Sequence, residues 1–235
     1  MIRTAPIVAI TLRGLLDRRR FWLMVLLAAA PLLLTVFAVA LGDETLDERI
    51  FDQLILRSIM PLIALVFGTG ALGTELEDGT IVYLLTKPGH RFRLVLAKGL
   101  VASAVTVSLT VSATLLTGLI AAAQEPDIME PALAYALAVA VGATAYTLAF
   151  MALSTITSRA LAVGLGYILI WEGIMAGLLP GTQTFSVRQA TLGLADMLGA
   201  TEVEDPLDPG TSVAILGIVI VGSLLLSGWR MSRYQ

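Results

Sequence analysis

A chain of 235 residues in which 57% are hydrophobic and only 14% charged is far more apolar than a soluble domain, whose charged share is roughly a quarter. Such a chain belongs in lipid, and its net charge of −3 conceals a strong asymmetry between its loops. The absence of cysteine excludes a disulfide framework, a haem attachment and any thiolate metal site.

In chain order, the first element is a basic lead over 1–20. It sets Ile7, Val8, Leu12, Leu15 and Leu16 at helical spacing, with Arg13, Arg18 and Arg19 toward the polar side. This pattern predicts an amphipathic helix lying in the membrane interface, its arginines near anionic headgroups. The run 21–41 is uncharged and longer than the roughly 7–15 apolar residues of a secretory signal, so it is read as a retained span. Further spans are predicted over 54–73, 99–123, 132–157, 160–179 and 211–229, each near the roughly 20 helical residues that cross a hydrocarbon core. The expected fold is therefore an all-α membrane protein, one transmembrane domain over 1–235 with six transmembrane helices and no sizeable soluble part. Between spans five and six, 181–210 is expected to lie outside and to carry short outer-surface helices, one with Val187, Ala190, Leu194, Met197 and Leu198 on a single face.

The basic residues orient this bundle. Twelve of the fifteen fall in the N-terminal lead, the 74–98 loop, the 159 turn and the C-terminal tail. The alternate loops hold most of the acids, among them Asp43, Glu44, Glu125, Glu202 and Glu204. By the positive-inside rule both termini are cytoplasmic, in a multi-pass protein of the plasma (inner) membrane.

The 74–98 loop is thus the largest cytoplasmic segment. Glu75, Glu77 and Asp78 gather carboxylates where span two ends, and Gly79-Thr80 can break and recap the chain. Ile81, Leu84 and Leu85 then sit at i, i+3 and i+4, an apolar face about two turns long that Pro88-Gly89 stops. Such a face either rests on the membrane and neighbouring span ends or takes a partner. The run GTELEDGTIVYLLTKPGHRFRLVLAKGL resembles the cytoplasmic segment of type-2 ABC exporter permeases. The resemblance is carried by Glu75, Glu77 with Asp78, Gly79-Thr80, Leu84-Leu85, Pro88, Arg91 and Lys98, and the basic lead, which corresponds to an elbow helix, extends it over the whole chain.

That resemblance implies a coupling helix that docks into a cleft of a separate ATP-binding-cassette subunit, which itself binds ATP and Mg. It also implies a second permease copy, as a homodimer or heterodimer, and export of an amphipathic or hydrophobic substrate. The sequence holds no G-x-x-x-x-G-K-[ST] phosphate loop, in keeping with that division of labour. No cofactor, metal or catalytic residue is expected in this chain, and its partners are the ATPase, its permease mate and lipid, with no nucleic acid. The lone histidine, His90, has no second ligand or paired nucleophile in view.

Inside the spans, Glu172 is an acid in an otherwise apolar run, the usual mark of a functional group or of a buried pair across helices. Arg57 either pairs with it or snorkels to the acidic surface. Span three carries Ser103, Thr106, Thr110, Thr114 and Thr117 along one face. That stripe either packs and hydrogen-bonds between helices or lines a polar substrate path, in which Thr106, Thr110, Thr114 and Glu172 would take part. The alternatives to an ABC permease are an ATP-independent carrier or channel that uses Glu172, and a membrane scaffold.

Overall fold

The computed structural model describes residues 15, 18–41, 50–77, 91–124, 126–175, 183–200 and 206–233. Its elements are α1 (Arg18–Leu41), α2 (Ile50–Ile59) running into α3 (Met60–Glu77), α4 (Arg91–Ala122), α5 (Met129–Ser154), α6 (Ala160–Gly166) running into α7 (Tyr167–Met175), α8 (Val187–Met197) and α9 (Pro209–Arg233). No strand occurs among the described residues.

Successive long elements run antiparallel. Leu15, Gly70, Lys98, Met151 and Phe92 with Gly228 meet near one end, here called the base. Phe51, Gly118, Ala132, Thr191 and Ser212 make their contacts near the other end, the crown. Two apolar cores stack along the bundle accordingly. The crown core includes Phe51, Ile55, Tyr135, Tyr146 and Leu216, and the base core Ile63, Phe67, Leu94, Leu148 and Met151.

α5 is the central post. It is apolar on every side, which a helix can be only where neighbours or lipid surround it, and its small residues let those neighbours come close. A methyl added at Gly142 would overlap the side chain of Thr191 on α8, and one added at Gly118 of α4 would overlap Ala132. In lipid, where apolar surface gains little by leaving its surroundings, such close approach is what drives helices together. α1 and α9 sit at the periphery, turning Leu26, Leu33 and Phe37, and Ile218, Val221 and Leu225, outward.

Among the described residues, five helices are long and apolar enough to cross a membrane: Phe21–Leu41, Phe51–Leu72, Phe92–Ala122, Pro126–Ser154 and Pro209–Ser232. The fifth predicted span is represented by the shorter apolar helix Ala160–Ile174, which at 1.5 Å per residue rises roughly 22 Å against a core of about 30 Å. The rest of that predicted span, 176–179, lies outside the described residues, as does most of the basic lead over 1–20.

Two departures from α geometry mark the crown. α2 is π-wound over Ile50–Ile59, immediately before Pro61. A proline inside a helix lacks the N–H for the ladder and crowds the carbonyl four residues back, here that of Arg57, and looser winding relieves both. α7 is π-wound over Tyr167–Met175, and it carries Glu172.

Candidate functional site

The crown brings Asp52, Glu172 and Arg188 into one corner, and its geometry starts from Ser186. This residue is extended at φ −101° and ψ 122°, and its Oγ accepts from the backbone N–H of Gln189 at 3.1 Å, capping α8. Ser186 and Gln189 have the S-x-x-Q spacing of a capping box, a signal readable in the sequence. The exposed backbone N–H groups of that first turn, with the partial positive charge of a helix N-terminus, favour an anion.

Glu172 supplies it. Its carboxylate is 1% exposed. Oε1 accepts from the Tyr146 hydroxyl at 2.8 Å, the Tyr167 hydroxyl at 2.9 Å and the Val187 N–H at 3.1 Å, and Oε2 accepts from the Ser186 hydroxyl. Four donors from α5, α7 and the start of α8 therefore converge on one side chain. A carboxylate at membrane depth is tolerable when it is saturated in this way, because hydrogen bonds to the ion replace its lost hydration.

Arg57 does not pair with Glu172. Its guanidinium instead donates to the backbone carbonyl of Gly173 at 2.7 Å, joining α2 to α7. The salt bridge of the corner is formed by Arg188, whose terminal nitrogen donates to both oxygens of Asp52 at 2.6 and 2.9 Å, joining α8 to α2. Trp171 adds a bond from its indole N–H to the Phe185 carbonyl at 3.3 Å. Beside the bridge, Arg188 Nε and Gln189 Oε1 are buried without a partner.

The apolar face predicted for α8 is only partly turned inward. Val187 and Ala190 are buried, but so are Gln189, Thr191 and Gly193, while Met197 and Leu198 are exposed and Leu194 is only half-buried. In a membrane protein apolar residues have no need of the interior, and polar and small residues have.

The hydroxyl stripe of α4 is buried throughout, Thr106 at 0%, Thr110 at 1% and Thr114 at 0% exposed. Each hydroxyl donates back to its own helix: Thr106 to the Ala102 carbonyl at 2.9 Å, Thr110 to Thr106 at 3.0 Å, Thr114 to Thr110 at 2.9 Å. Ser103 and Thr117, at the two ends of the stripe, have buried hydroxyls without partners. Among the described residues no hydrogen bond joins the stripe to Glu172, so the four residues named for a polar path do not form one hydrogen-bonded site.

At the base, Glu75 and Glu77 lie in the last turns of α3 and Arg91 opens α4, but their side chains are outside the described residues. Asp78, Gly79, Thr80, Ile81, Leu84, Leu85 and Pro88 are outside them entirely. What is described is the footing of that segment. Lys98 is 3% exposed and donates from Nζ to the Ala71 carbonyl at 3.0 Å. This bond and the packing of Leu72, Leu94 and Val95 in the base core fasten the end of α3 to the start of α4.

Residues 6–233 match the family model described as ABC-2 family transporter protein. The chain is a member of that family. It is thus an ABC-2 permease, a multi-pass membrane protein that forms the transport subunit of an ABC transporter. No curated protein matches it. In this ABC-2 permease, the residues that sequence reasoning missed are those that complete the crown. Tyr146, Tyr167 and Ser186 are ordinary in composition and lie 26, 5 and 14 positions from Glu172.

Proposed function

We propose that this chain is the membrane-spanning subunit of an ATP-driven exporter. Its base faces the cytoplasm, and two copies, or this chain and a related one, join two ATP-binding-cassette subunits in the plasma (inner) membrane. ATP and Mg bind on those partners, and closure of the ATPases pushes on the 75–93 segment. Because Lys98 and the base core tie α3 to α4, a push there is delivered to both helices together. The resemblance to type-2 exporter permeases supports an amphipathic or hydrophobic substrate, released toward the crown.

The observation that carries this reading is the family match over 6–233, nearly the whole chain. The missing phosphate loop supports the assignment of ATP to a partner. A carrier that cycles protons or ions through Glu172 has less support, since four donors already occupy that carboxylate at 1% exposure.

Co-expression with an ATP-binding-cassette subunit tests the proposal. A stable complex is expected whose ATP-dependent transport is lost in the Leu84→Glu, Leu85→Glu double variant, while membrane insertion is unchanged. Transport by the purified chain without ATP, or failure to bind any such subunit, would overturn it.

A further inference from the structure

The contacts of the crown are unequal on the two sides of α8. Toward α5 and α9 it packs extensively, and a methyl at Gly142 or Gly193 would overlap Thr191, or Leu207 and Ser212. Toward α2 it packs lightly, and the main bond is the Asp52–Arg188 bridge, whose side chains are 33% and 12% exposed. The adjoining link from α2 to α7 is the exposed Arg57 bond to the Gly173 carbonyl. Two polar atoms beside this seam, Arg188 Nε and Gln189 Oε1, are buried and unpaired, so its closed form leaves hydrogen bonds unmade.

The element on the thin side of the seam is also the one built to bend. α2 is π-wound, and at Pro61 its junction with α3 lacks a ladder donor. Its apolar side stays anchored, with Phe51 stacked on Tyr135 at 5.2 Å between ring centres, so a tilt about that side costs less than removal from the core. On the other side of the seam, Glu172 binds α5, α7 and α8 into a single corner through four hydrogen bonds.

We propose that the seam between α2 and the α7–α8 corner is the crown gate of the transport path, opening when α2 tilts at Pro61 and breaks the Asp52–Arg188 and Arg57–Gly173 contacts. Glu172 is the positioning residue that keeps the opposite jamb rigid. This rests on the permease reading above and adds to it where the path opens and which bonds close it.

The chain has no cysteine, so pairs of spin labels can be introduced directly. Gln53→Cys with Met197→Cys reports across the seam, and Leu133→Cys with Met197→Cys reports between α5 and α8; all three positions are exposed. Labelled chain is diluted with unlabelled chain in lipid nanodiscs, and distances are read by pulsed electron paramagnetic resonance. The Asp52→Asn change should lengthen or broaden the 53–197 distance by several ångström and leave the 133–197 distance in place. Arg57→Gln, a second and independent variant, should act in the same direction. Glu172→Gln should disturb the 133–197 distance as well. An unchanged 53–197 distance in both seam variants overturns the proposal, and so does an equal shift of both pairs, which would mean that α8 lifts off α5.

In the complex with the ATPase, a non-hydrolysable ATP analogue should lengthen the 53–197 distance without any seam variant. A complex that binds the analogue and leaves this distance fixed overturns the gate while the permease reading stands. A chain that captures no ATPase overturns the permease reading, and with it the gate, even where the seam variants shift the 53–197 distance.

Discussion

Two of the polar features buried in this bundle are satisfied in opposite ways. The hydroxyls of Thr106, Thr110 and Thr114 each bond to a carbonyl four residues earlier on α4, so these three are satisfied whether or not another helix is present. Glu172 takes one bond from Tyr167 on its own helix, and its other three reach Tyr146 on α5 and the start of α8. Local satisfaction makes a helix tolerable in lipid but ties it to nothing. Long-range satisfaction fixes one element against another, and the two features should therefore respond very differently to substitution.

The largest effect is expected at Glu172. Replacement by alanine leaves two tyrosine hydroxyls, a serine hydroxyl and a backbone N–H facing a void, with the helix N-terminus unneutralised. A buried donor left unpaired costs about 1–3 kcal/mol, and with several left at once denaturant unfolding in detergent micelles should show a loss at or above the top of that range. Glu172→Gln keeps the shape and one acceptor oxygen, and should cost about 1–3 kcal/mol, in the range of a buried donor left unpaired. A loss below 1 kcal/mol for the alanine variant would break the comparison, because it would mean that the corner holds nothing in place.

How far this arrangement could be read from sequence follows from the same distinction. Helices, their approximate spans and the oddity of Glu172 were legible, since apolar runs and an isolated acid are properties of one segment. The stripe on α4 was legible as a stripe because its hydroxyls answer to their own helix. The partners of Glu172 were not, because helical periodicity says which residues share a face and is silent on which helix that face meets. Arg57 illustrates the limit: near the crown end of its helix, it takes the carbonyl of Gly173, one residue along from Glu172. Helical spacing puts Val187, Ala190, Leu194, Met197 and Leu198 on one face of α8 but does not say what that face meets; Met197 and Leu198 are exposed, and in lipid Gln189, Thr191 and Gly193 have the stronger claim on the interior. The 75–93 segment is read from its motif and from the helical spacing of Ile81, Leu84 and Leu85, and its residues from Asp78 to His90 lie outside the described ones.

An intermediate effect is expected where the corner depends on closeness rather than on charge. A methyl at Gly193 would meet the Leu207 carbonyl, a backbone atom that cannot swing aside, as well as the Ser212 hydroxyl. Overpacking of this kind costs about 1–3 kcal/mol, so Gly193→Ala should destabilise α8 on α9 by that order. Backbone hydrogen exchange should rise in α8 and stay unchanged in α3 and α4. A uniform rise across the bundle would show that α8 is not a separable part of the crown and would weaken the contrast between its local and long-range bonds.

The smallest effect is expected at the stripe. Thr110→Val removes a hydroxyl whose bond is made to the Thr106 carbonyl within the same helix, and keeps the branched shape at a site only 1% exposed. The carbonyl retains its ladder donor, so no group is orphaned there. The Thr114 hydroxyl also keeps its acceptor, because that acceptor is the backbone carbonyl of residue 110 and not its side chain. The expected change in unfolding free energy is within about 0.5 kcal/mol, the range of substitutions that touch no special feature. A stripe that lines a substrate path would behave otherwise: stability would be kept while ATP-dependent transport fell severalfold. Measuring both quantities on the one variant therefore separates packing from passage, since a packing role moves neither by much and a lining role moves only the second.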